Sequence, residues 1–120
     1  MDTQMTTLTD LFGANAQRLT ATGSVTVAAG DEAIVIKKSD FAEWTTADGT
    51  KPERWLAAIL NKITAFDAAD STDIPDVESS LVTRTLATRN NADKLGFVYQ
   101  VTVYQPAGTL PATPDPDLMV

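Results

Sequence analysis

The sequence predicts an α+β fold: two β-hairpins forming a mainly antiparallel four-stranded sheet, one helix packed on it, and extended N- and C-terminal arms. Three observations predict it. Residues Thr50 to Phe66 repeat large apolar side chains at spacings of three and four, the signature of an amphipathic helix. Two other stretches, Leu19 to Lys38 and Ser79 to Gln105, alternate β-formers around short turn signals. The last fifteen residues hold four of the six prolines, which blocks both helix and central strand. The expected organisation is an N-terminal arm over 1–18, an α+β core over 19–105 and a Pro-rich arm over 106–120.

In chain order, the first apolar cluster is Leu8, Leu11 and Phe12, one helical turn capped by Thr7 or Thr9 and ended by Gly13. Three large apolar residues so close to a terminus suit an arm that docks on a partner. Val25, Val27 and Ala29 then alternate with Ser24, Thr26 and Ala28. After Gly30-Asp31, Ala33, Val35 and Lys37 alternate with Ile34 and Ile36. A two-residue loop that opens with Gly supplies the positive φ of a primed hairpin turn. Phe41 and Trp44 lie in the connector that follows, with Trp44 expected in or beside the core. Asp48-Gly49 marks a turn.

The helix is expected to begin with a capping box of Thr50 and Glu53, with Pro52 in its first turn. (Pro52 disfavours a helical Lys51, so the cap is free to shift by one residue.) Trp55, Leu56, Ile59, Leu60, Ile63 and Phe66 form its apolar stripe. Five carboxylates follow without a cation among them: Asp67, Asp70, Asp73, Asp76 and Glu78. Their spacing is not that of a calcium-binding loop, and the run reads as a solvated acidic turn. In the second hairpin, Leu81, Thr83, Thr85 and Ala87 alternate with Val82, Arg84, Leu86 and Thr88. Phe97, Tyr99, Val101 and Val103 alternate with Val98, Gln100, Thr102 and Tyr104. Asn90 to Lys94 is the polar turn, and Gly96 is a candidate bulge. Arg84 and Arg89 read as charges on a solvent face.

Composition removes whole classes of chemistry. The 120 residues contain no cysteine and no histidine. Disulfides, Cys/His zinc sites and every histidine general base are therefore excluded. No glycine-rich phosphate loop occurs. The expectation is a non-enzymatic protein without cofactor or metal. A net charge of −7 opposes binding to nucleic acid and to anionic membrane. No apolar run approaches the ~20 residues of a bilayer span, and Met1 to Thr7 has no signal-peptide character. The 18 threonines concentrate in or beside the strand-like and extended segments.

Two hypotheses follow. In the first, protein partners are gripped by the ends: Leu8, Leu11 and Phe12, and Pro106, Leu110, Pro111, Leu118, Met119 and Val120. Extended proline-rich segments suit that role because their preset φ angles lower the entropy cost of ordering. In the second, the chain is a small cytoplasmic adaptor with disordered ends, which binds through the sheet face opposite the helix and exposes Tyr99 or Tyr104 there.

Leu11-Phe12-Gly13-Ala14-Asn15-Ala16-Gln17, the Thr- and Val-rich stretch running into Ile36-Lys37-Lys38-Ser39-Asp40-Phe41, and Leu56-Ala57-Ala58-Ile59-Leu60 carry a resemblance. This half of the chain is similar to small acidic proteins of cyanobacteria and their tailed phages, some of them virion components. The resemblance implies a structural role such as a capsid cement or decoration protein. The partners would then be a capsid lattice and copies of the chain itself, and the place the virion, after synthesis in the host cytoplasm. It implies no catalytic residues, and it does not extend to the second half.

Overall fold

The structure, a computed structural model, describes residues 6–69, 76–108 and 113–118. The ordered elements are α1 (Leu8–Phe12), α2 (Pro52–Ala69), β1 (Val77–Arg89) and β2 (Ala92–Val103), with short 3₁₀ turns at Lys38–Asp40 and Pro116–Leu118. The chain divides into two units, Met1–Ile59 and Leu60–Val120, and α2 runs from the first into the second.

In the first unit, α1 is the predicted helical turn. Thr7 caps it through a reciprocal box: its hydroxyl accepts from Asp10 N–H at 3.3 Å, and Asp10 Oδ2 accepts from Thr7 N–H at 2.8 Å. The backbone bond from Thr7 holds the Asp10 carboxyl below its ordinary pKa.

The expected hairpin around Gly30 does not form. Among the described residues the sheet has two strands, not four. The turn itself is present: Asp31 N–H donates to Ala28 C=O at 3.1 Å, and Gly30 has φ +85°. This register makes Gly30 the third residue of the turn rather than the second. Positive φ at that place alone gives a type II turn, whose twist splays the flanking segments instead of pairing them. The β-formers on either side stay unpaired, and Ile34 is 84% exposed.

A small aromatic core organises this unit. The 3₁₀ turn at Lys38–Asp40 delivers Phe41, and Trp44 follows one turn later, its N–H bonded to Phe41 C=O at 3.1 Å. Trp44 is buried, as its composition suggested, and meets Trp55 of α2 edge-to-face at 4.6 Å and 79°. Both indole N–H groups are satisfied by nearby carbonyls, Trp44 by Ala47 at 2.8 Å and Trp55 by Gly49 at 2.9 Å. The Lys38 ammonium lies 5.8 Å from the Trp44 ring centre. Ala58, three residues beyond Trp55, is the most buried residue of the aromatic cluster, and Ile59 packs beside it. Leu56 and Phe66, counted in the apolar stripe, are exposed.

The helix starts at Pro52, which puts Lys51 at the cap position, and the Thr50 hydroxyl of the expected Thr50–Glu53 box bonds Asp48. Asp48 organises the entry instead. Its Oδ1 accepts from Thr50 Oγ1 (2.6 Å), Thr50 N–H (3.1 Å) and Arg54 Nη1 (3.0 Å). The Thr50 hydroxyl and N–H, with help from Arg18 and Arg54, hold the Asp48 carboxyl below its ordinary range.

In the second unit, β1 and β2 form one antiparallel hairpin. Asn90 and Asn91 connect them with φ +52° and +61°, the two positive values that define a type I′ turn. The turn is tighter than the predicted five residues, because Ala92, Asp93 and Lys94 already pair with Arg89, Thr88 and Ala87. The register changes between Leu81 and Thr83, leaving Val82 as the extra residue of a β-bulge. Gly96, the predicted bulge, is instead regularly paired with Thr85.

Two predictions follow. A Cβ at Gly49 would lie 2.8 Å from Trp55 Cζ2, so Gly49→Ala must push the indole from its site. A loss of about 1–3 kcal/mol is expected, read as a lower thermal midpoint by tryptophan fluorescence; an unchanged midpoint would show that the indole is free to move. Asn91→Val places a β-branched residue at positive φ and should cost the hairpin about 1–2 kcal/mol. Cross-strand NOEs should weaken accordingly, and Asn91→Gly should preserve or strengthen them.

Candidate interaction surface

The hairpin is anchored at its base by polar bonds. Tyr99 OH donates to Asn61 Oδ1 on α2. Thr64 Oγ1 donates to Leu60 C=O at 2.7 Å, so Ser79, buried to 3% exposure, is the donor in the 2.6 Å bond between Ser79 Oγ and Thr64 Oγ1. Asp67 Oδ2 accepts from Ser79 N–H at 3.2 Å. Tyr104 N–H bonds Asp76 C=O at 2.8 Å, and Tyr104 OH donates to Glu78 Oε2 at 3.1 Å. That bond, and the charge of Glu78, raise the Tyr104 pKa above its ordinary value.

The register assigns the faces. Paired residues share a face, and β2 alternates without interruption. Leu95, Phe97, Tyr99, Val101 and Val103 therefore stand on one side. Strict alternation along β1 would put Leu81 and Leu86 on opposite sides. The extra residue Val82 shifts the phase, so Leu81 (opposite Tyr99) and Leu86 (opposite Leu95) both join the side of Phe97. The other face carries Thr83, Thr85, Ala87, Lys94, Gly96, Val98 and Gln100. The bulge thus gathers the large apolar side chains on one face, with Arg84 opposite Phe97 and the Thr88/Asp93 pair nearest the turn, and leaves a mixed, mostly polar set on the other.

Only the base of the apolar face meets α2. Toward the turn it stands open: Leu86 is 76% exposed, Leu95 54% and Phe97 53%. Isolated exposed leucines are ordinary; a directly opposed Leu pair with a Phe in the next row on the same face is a patch. Sequence reasoning identified these as strand residues but not as a surface, because the bulge has no sequence marker. Of the two tyrosines expected on the sheet face opposite the helix, Tyr99 is tied to α2 through its hydroxyl and lies on the helix side, while Tyr104 is exposed.

Of the terminal interface candidates, Leu8 is half-buried, and Leu11, Phe12, Pro106 and Leu118 are exposed. Leu110, Pro111, Met119 and Val120 lie outside the described residues. The segment 113–118 is linked to the end of the hairpin, with Asp115 N–H donating to Gln105 Oε1 at 3.0 Å. Asp70 and Asp73 of the acidic run also lie outside the described residues, and among the described ones no three carboxylates converge as a cation site. No helix among the described residues is long and apolar enough to cross a membrane.

Comparison with protein-family models, with curated proteins and with solved structures finds no match to the chain.

The Tyr104–Glu78 bond makes a pH prediction. A folded pKa above the unfolded value near 10 gives a contribution that is complete below pH 10 and lost as pH rises through the folded value. Absorbance titration should show the Tyr104 phenol ionising late, and Glu78→Gln should move it toward the ordinary range. A Tyr104 that titrates alike in both proteins would remove the bond from the account.

Proposed function

We propose that the chain is a non-enzymatic structural protein of a tailed-phage particle that ties neighbouring capsid subunits together, as cement or decoration proteins do. The observation that carries the interaction role is the apolar hairpin face, built by a bulge and left open beyond the helix. The exposed side chains of Leu11, Phe12, Pro106 and Leu118 add contact points at both ends. The acidic charge keeps free subunits soluble and suits a lattice with basic patches. The similarity of the first half of the chain to proteins of cyanobacteria and their phages directs the choice of partner to a capsid.

Peptide mass spectrometry on gradient-purified particles from the encoding system tests this. The chain is expected at a fixed ratio to the major capsid subunit. Deleting residues 107–120 should lower its occupancy at least tenfold while the far-UV spectrum of the hairpin persists. Absence from particles, or full occupancy without those residues, would defeat the virion role or the arm role respectively.

A further inference from the structure

No further inference is drawn: the strongest candidate, the open stretch of the hairpin's apolar face from Leu81 to the turn, carries nothing, because nothing in the structure shows what covers it.

Discussion

A ribbon of two strands has no third strand to lean on and no second layer unless something supplies one. That constraint governs the second unit. A hairpin of 13 and 12 residues needs its apolar side covered, because isolated two-stranded ribbons are marginal in water. The second half of α2 meets the base of the hairpin through hydrogen bonds of Asn61, Thr64 and Asp67. Burying a Leu or Phe fully is worth about 1.5–3 kcal/mol. Leu86, Leu95 and Phe97 are each half or more exposed, so covering them would contribute on the order of 4 kcal/mol. Against a domain stability of about 5–15 kcal/mol that is a large share. Anything that covered this face would therefore also stabilise the ribbon.

The two turns of the chain show how narrowly a hairpin is decided. Both are polar or small, and both are flanked by alternating β-formers. At Asn90-Asn91 both central residues take positive φ, and the strands continue for the full length of the ribbon. At Ala29-Gly30 only the second central residue does, and no ladder forms. The sequence pattern around Gly30 is compatible with either register, Gly30-Asp31 or Ala29-Gly30, as the central pair. A shift of one residue exchanges a twist that closes strands for one that opens them. This is why the four-stranded sheet expected from alternation shrinks to two strands.

Legibility followed the same line. Signals that act over three or four residues were readable: the Thr7 cap of α1, the helix from Pro52, the Trp44 anchor and the strands flanking the Asn pair. Signals that depend on a distant partner were not. Ala58 was not expected in the core, since a methyl group carries little hydrophobic weight; it is buried because Phe41 and Trp44 need a small residue beneath them on α2. Asp48 displaced Thr50 as the organiser of the helix entry because it gathers Arg54 from six residues away as well as Thr50. The apolar face was hidden for the same reason. Its β1 half is out of phase with its own alternation until the register with β2 is known.

The bulge at Val82 is the feature that turns a strand pair into a surface. Without it, β1 would place Leu81 and Leu86 on opposite faces, each face would hold a diluted set of apolar side chains, and neither would be large enough to recognise anything. With it, both leucines line up with Phe97 and Tyr99, on the side that also carries Arg84, Thr88 and Asp93, while Thr83, Thr85, Lys94 and Gln100 take the other. The cost is one residue unpaired in the ladder and a local increase in twist. An extra residue that concentrates apolar side chains where α2 does not reach contributes nothing to burial within the unit. Val82, itself outside the apolar rows, is thus the residue that decides which side chains share the open face.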